Sequence, residues 1–260
     1  MLQVNFFVLC TLCLVKFRFF VIGVPLNDGK KAEIGEFKYQ VALLEEDDYI
    51  ANCGGGIIDA KFILTAAHCV IDPIENEFKS TGLFVMAGAV DLYDNSEVTE
   101  KVRVIKIWVP DEYPDKNADP EEPYLSTGDI AVLELVHPLT LNKVSSNLPE
   151  LNKLNLPTPD SDYADKIAVI TGYGLYNVDW TSMKFDEHDQ VIHIGDDTSS
   201  NKLHHAEARV ISNEACKSAY HPSIKSRHLC ANVLHCPRGQ CSKPGICQVC
   251  NNDNNKKHRT

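Results

Sequence analysis

No stretch of this 260-residue chain reaches the roughly 20 consecutive apolar residues that a membrane-spanning helix needs. The Phe6–Val15 run is broken by Lys16 and Arg18, and Phe19–Val24 resumes only briefly. Positive charge is scarce as well. Lys and Arg number 25 against 36 Asp and Glu, a formal net charge of −11. So acidic a chain is a poor electrostatic fit to phosphate backbones, which argues against nucleic acid as a partner. Glycine (14) and proline (13) are too few for collagen or whole-chain low complexity. What remains is ordinary globular composition, 44% hydrophobic and 23% charged, at a length for one large or two modest domains.

Cysteine, by contrast, is plentiful, with ten residues. The N-terminus says which compartment they meet. A short apolar segment followed by small residues fits a cleaved secretory signal over residues 1–23, with Val21 and Gly23 at the −3 and −1 positions. It is irregular, since no basic residue precedes the apolar run and two lie inside the segment. Cleavage near Val24 removes Cys10 and Cys13. The mature chain is then expected to be secreted, free of the membrane, with its other cysteines in an oxidising medium.

Strand-like runs dominate the following 115 or so residues. They are Lys38–Glu45, Tyr49–Ile58, Phe62–Ala66, Gly82–Gly88, Glu97–Val109 and Asp129–Val136. Partial alternation through Val98, Val102, Val104, Ile105 and Ile107 predicts a twisted strand with a bulge. Six short strands without helical patterns between them predict a closed antiparallel barrel. Two acidic stretches, Pro110–Gly128 and Trp180–Asp197, read as solvated surface loops. A calcium site or a recognition loop for a basic partner is the sharper alternative for them. Ser145–Asp160 reads as a crossing between two units. Strands are expected again at Lys166–Thr171, Leu203–Ile211 and His228–Ala231, with a short helix capped by Ser212.

Two motifs carry chemistry. The first is Cys53-Gly54-Gly55-Gly56-Ile57-Ile58 followed by Phe62-Ile63-Leu64-Thr65-Ala66-Ala67-His68-Cys69. Glycines within a strand permit close approach of another backbone. The small Ala66-Ala67 pair leaves room to hold an imidazole in one orientation. Cys53 and Cys69 bracket a hairpin-sized loop and can bond across it, fixing that histidine. The second motif is Gly128-Asp129-Ile130-Ala131-Val132-Leu133-Glu134-Leu135. An aspartate opening an apolar strand needs a partner, because a lone buried carboxylate is costly. A histidine N–H is the natural one.

With Thr65–Cys69 and Asp129–Ala131 in place, the chain resembles the trypsin/chymotrypsin-like serine proteases. Supporting matches are Gly29–Leu44, Thr171-Gly172-Tyr173-Gly174, and Cys216 with Cys230. The resemblance covers about Gly29 to Ala231. It implies an all-β fold of two antiparallel six-stranded Greek-key barrels. The N-terminal barrel is expected over 24–144 and an incomplete second barrel over 145–235, followed by an irregular Cys-rich tail at 236–260. It also implies His68 as general base, Asp129 as the carboxylate that orients it, and disulfides Cys53–Cys69 and Cys216–Cys230. A protein or peptide substrate, or a protein partner, is implied, and neither cofactor nor metal.

The pattern then fails. The family carries Gly-Asp-Ser-Gly-Gly-Pro about a dozen residues after Cys230. Here Asn232–Gly245 reads NVLHCPRGQCSKPG. Ser242 lies at about the right distance but lacks the preceding aspartate, Lys243 replaces the following glycine, and Gln240 stands where a glycine donates an oxyanion-hole N–H. About three further strands and a terminal helix, which form the specificity pocket, are implied but not read before Thr260. The activation stretch also differs. No Lys or Arg directly precedes Pro25-Leu26-Asn27-Asp28-Gly29, and Asn27 replaces an apolar residue. Removing such a nucleophile costs about 10⁶ in turnover, and one oxyanion donor roughly 10²–10³. Either loss leaves negligible hydrolysis. Two readings follow, a secreted endopeptidase whose recorded sequence is truncated, and a non-catalytic homologue acting as a binding or regulatory module. In the tail, Cys236, Cys241, Cys247 and Cys250 with His235 admit a zinc site or a disulfide knot, but loss of strand pattern favours unselected sequence. His188, His193, His204 and His205 read as solvated side chains rather than ligands.

Overall fold

A computed structural model describes residues 29–45, 51, 53–71, 82–113, 128–145, 147–157, 163–175, 184–185, 191–193, 199–219, 224–226 and 228–234. Six strands close a barrel: β2 (Gln40–Glu45), β3 (Cys53–Asp59), β4 (Phe62–Thr65), β5 (Leu83–Ala87), β6 (Glu100–Trp108) and β7 (Ala131–Leu135). They pair in the order β2-β3-β4-β7-β6-β5 and back to β2. Each corresponds to one of the six expected runs. Inward positions hold Val41, Leu43, Ile57, Ile63, Val85, Val102, Leu133 and Leu135, all essentially inaccessible to solvent. Alternation delivers these side chains to one face, and closure leaves no strand edge. The bulge expected in β6 is present as a register shift between Val104 and Lys106 against β7.

The second unit is open. β8 (Ile167–Leu175), β11 (Ser199–Ile211) and β12 (Cys230–Val233), joined by the two-residue β1 (Lys30–Lys31), form a four-stranded antiparallel sheet. Among the described residues this second barrel is incomplete. Helix α1 (Asn213–Ala219) follows β11, and the Ala215 N–H donates to Ser212 Oγ at 3.2 Å, the expected cap. No helix among the described residues is long and apolar enough to cross a membrane.

Three expectations change. The acidic Trp180–Asp197 stretch is not all loop: β9 (Lys184–Phe185) pairs with β10 (Val191–His193). β1 lay in no expected strand, because two lysines carry no strand signature, yet it pairs Lys30 with His205 and Lys31 with His204. His204 is buried rather than solvated. A register shift between Ser200 and His204 breaks the alternation there, so Leu203 and His204 both turn inward. His204 Nδ1 lies 2.9 Å from the Lys202 carbonyl oxygen.

The units meet along a polar seam. Buried Gln40 accepts a bond from Thr171 Oγ1 at 2.6 Å. Tyr173 donates its hydroxyl to the Ala89 carbonyl at 2.6 Å. Burial, and secondarily the Glu97 carboxylate, push the Tyr173 phenol above its usual range.

Candidate active site

His68 sits on a 3₁₀ turn, Ala67–Cys69, that leaves the end of β4. The turn is tied down at several points. The Cys69 N–H donates to Ala66 O at 3.2 Å and the Ile71 N–H to Ala67 O at 2.8 Å. Thr65 Oγ1 donates to Gly54 O at 2.8 Å. A disulfide joins Cys69 to Cys53 on β3, with their Cα atoms 5.9 Å apart. Ala67 is fully buried, so the residue before the imidazole cannot grow without displacing core. At Gly55 a Cβ would lie 2.8 Å from Ile63 Cγ2 and 3.0 Å from Val41 Cγ2, and at Gly56 2.9 Å from Leu154 Cδ1. The glycines thus admit chiefly neighbouring side chains; the one backbone atom close by is Leu64 O, 3.1 Å from the Gly55 position.

Asp129 arrives from β7 by register. Thr65 of β4 lies opposite Ala131 of β7. Running both strands two residues past that pair places position 129 beside the histidine turn. Gly128 adopts φ +80°, a conformation that glycine takes without strain, and β7 begins only after Ile130, which is 45% exposed. Asp129 is therefore at the lip of the barrel, not inside a buried strand.

The two side chains meet closely. Asp129 Oδ2 lies 2.8 Å from His68 Nδ1, and Oδ1 accepts the His68 backbone N–H at 2.9 Å. Their side chains are only 13% and 10% exposed. Two bonds to one residue fix the carboxylate and compensate for its loss of water. A carboxylate only accepts, so Nδ1 carries the proton and Nε2 keeps its lone pair. This tautomer can take a proton from a hydroxyl or water placed at Nε2.

Nε2 also lies 3.7 Å from Cys69 Sγ. Cys53, His68 and Cys69 are close enough together to hold a metal, but the two sulfurs are bonded to each other, and zinc ligation requires thiolates. Cys216 and Cys230 are likewise joined, between α1 and β12. Ser242, Gln240, Lys243, His235 and the tail cysteines lie outside the described residues, as do His188 and the segment 1–28. His205 Nε2 approaches Glu36 Oε1 at 3.8 Å, and its ring stands 5.0 Å from that of Phe37. Gln40 and Tyr173, which join the two units, drew no separate reading from the sequence; they fell within the supporting matches Gly29–Leu44 and Thr171–Gly174.

Comparison with known proteins places this geometry in context. A family model described as Trypsin matches residues 26–242. Transmembrane protease serine 9 of Rattus norvegicus is 28% identical over 209 residues, 79% of this chain and 16% of the relative. Coagulation factor IX of Oryctolagus cuniculus is 39% identical over 114 residues, 44% of this chain and 36% of the relative. Collagenase of Hypoderma lineatum is 28% identical over 163 residues, 61% of this chain and 53% of the relative. The chain thus spans between about a sixth and half of these relatives' lengths. Among solved structures, neuropsin, a serine protease expressed in the limbic system of mouse brain, superposes with a TM-score of 0.57 at 20% identity, covering 79% of this chain and 74% of its own. The scabies mite inactivated protease paralogue S-D1 gives 0.56 at 21% identity, covering 80% and 75%.

Proposed function

The chain belongs to the trypsin family of serine proteases, matched over residues 26–242, and from that premise we propose that it carries the base half of a His-Asp-Ser triad on a secreted scaffold, while these 260 residues do not themselves hydrolyse peptides. His68 is the general base, and Asp129 holds its tautomer and stabilises the imidazolium that would form. Trypsin-like proteases act on protein or peptide substrates, and a polypeptide is the ligand proposed for the site at His68 and Asp129. Secretion is supported by the apolar segment at 6–15 and by two disulfides, which persist in oxidising compartments.

The observation that carries the proposal is the paired contact from Asp129 to His68, at 2.8 Å to Nδ1 and 2.9 Å to the backbone N–H. The inactive half of the reading rests on Gln240, Ser242 and Lys243 standing where a glycine, an aspartate-flanked serine and a glycine are required. Two measurements test the halves separately. The full chain, treated with a fluorophosphonate probe and mapped by mass spectrometry, is expected to remain unlabelled; adduct on Ser242 overturns inactivity. Proton NMR is expected to show a strongly downfield His68 Nδ1 proton that disappears in Asp129→Asn. If no such resonance exists in the folded parent, His68 is not poised as a base.

A further inference from the structure

We propose that Cys53, Cys69 and His68 form a zinc site when the Cys53–Cys69 disulfide is open. The sulfurs and the imidazole already converge. Cys69 Sγ lies 3.7 Å from His68 Nε2, and the ligand atoms of all three residues lie within 4.8 Å of one another. Zinc takes sulfur at about 2.3 Å and nitrogen at about 2.0–2.1 Å in a tetrahedron, so a bound nitrogen and sulfur stand roughly 3.6 Å apart, and two bound sulfurs roughly 3.8 Å apart. The fold therefore meets the nitrogen–sulfur spacing before any metal arrives. Only the two sulfurs must draw apart, and with Cα atoms 5.9 Å apart side-chain rotation achieves this.

The imidazole is set for ligation. Asp129 Oδ2, 2.8 Å from Nδ1, fixes the proton on that nitrogen and leaves the Nε2 lone pair for a metal. Metal-bound histidines commonly donate their other ring N–H to a carboxylate, which orients the ring and raises its basicity. Here that carboxylate is in place. Two thiolates with one imidazole suit zinc rather than magnesium or calcium. Three protein ligands leave a fourth position for water.

Opening the disulfide does not scatter the ligands. β3 and β4 stay paired at Gly56–Leu64 and Ile57–Ile63, and Thr65 Oγ1 still holds Gly54 O. The turn keeps its own bonds from the Cys69 and Ile71 N–H groups. The backbone N–H of His68 remains on Asp129 Oδ1. Both cysteines are partly accessible, so a small dithiol reaches them. One thiolate of that reductant attacks a sulfur, the other sulfur leaves as a thiolate, and the reductant's second thiol closes its own disulfide. The protein gains two electrons and two protons, and the dithiol loses them. Zinc then displaces the two protons. Disulfide and zinc thus compete for the same sulfurs, and bound zinc occupies the lone pair that a general base needs. The site requires the contact between His68 and Asp129 but no substrate, so it is tested apart from the triad role.

The full chain is reduced anaerobically with a dithiol, freed of it by gel filtration, and given a small excess of zinc. Its cysteines are then alkylated with iodoacetamide and mapped by mass spectrometry. Cys53 and Cys69 are expected to be protected until a chelator is added. Cys216 and Cys230, which have no third ligand among the described residues, are expected to be alkylated throughout. Cobalt reads the geometry in a full-length chain whose Cys10, Cys13, Cys236, Cys241, Cys247 and Cys250 are replaced by Ser. The expected spectrum is that of tetrahedral cobalt with sulfur-to-metal charge transfer, lost on reoxidation and lost in His68→Ala. Asp129→Asn is expected to keep the spectrum and weaken binding about 10–100-fold. Hydrogen exchange checks that the β3 and β4 amides stay protected in each reduced protein. Full alkylation of Cys53 and Cys69 in the presence of zinc, an unchanged cobalt spectrum in His68→Ala, unchanged affinity in Asp129→Asn, or loss of amide protection on reduction each overturns the proposal.

Discussion

The two halves of the molecule use the same kind of strand to different ends. The first closes six strands and fills the interior with branched aliphatics. The second lays four strands open, and its buried positions are mostly small: Ala168, Ala206, Ala208 and Ala231, with Leu203, His204 and Val210 as the larger members. Closure makes each barrel strand a partner on both sides and gives the large side chains a common centre. The open sheet gains less from its own interior. It leans on the seam at Gln40 and Tyr173 and on a disulfide. The two disulfides sharpen the point. They span similar lengths, 16 and 14 residues, yet Cys53–Cys69 ties β3 to the 3₁₀ turn that follows its paired strand β4, whereas Cys216–Cys230 holds a small cluster with Ile211 and Ile224.

This contrast can be broken most forcefully in the barrel core. Leu133→Ala removes a fully buried side chain and is expected to cost about 2–5 kcal/mol. Val210→Ala in the open sheet, which removes two buried carbons, is expected to cost about 1.6 kcal/mol. Urea unfolding of both variants measures the gap, and equal losses would mean that the two halves share one core. Next in size, removing Cys216–Cys230 as Cys216→Ser with Cys230→Ser releases a loop worth about 3 kcal/mol in the chain-entropy account. Hydrogen exchange is expected to speed up in β11, β12 and α1 while the barrel amides stay protected; global acceleration would contradict the separation. The smallest effect concerns the seam. Tyr173→Phe loses one neutral hydrogen bond, about 1 kcal/mol. Because the folded phenol is harder to ionise than the unfolded one, its contribution is complete below about pH 10 and lost as pH rises beyond it. Denaturant midpoints through the alkaline range are expected to fall less in Tyr173→Phe than in the parent.

The strand content of the barrel was legible because each run is local. A few β-branched and aromatic residues between turn formers announce a strand wherever it later pairs. The β6 bulge and the Ser212 cap were legible for the same reason. β1 and the β9–β10 hairpin were not, since a Lys-Lys pair and an acidic stretch become strands only through the partner they meet. His204 was misread as solvated because a register shift, invisible in composition, turned it inward. At the site, the motifs around His68 and Asp129 were readable singly, and their conjunction came from family resemblance.

The sequence by itself determined which segments extend, which cysteines stand near a histidine turn, and that residues 232–245 do not spell the family's nucleophile segment. Those are properties of short stretches, set by backbone preference and covalent order. Only the tertiary structure decided that the Asp129 carboxylate bonds both the ring and the backbone N–H of His68, that Lys106 and Ile105 face outward together, and that Gln40 and Tyr173 join the two units. Each of these depends on strand register, which one residue of slip reverses and which is settled by the barrel closing on its core.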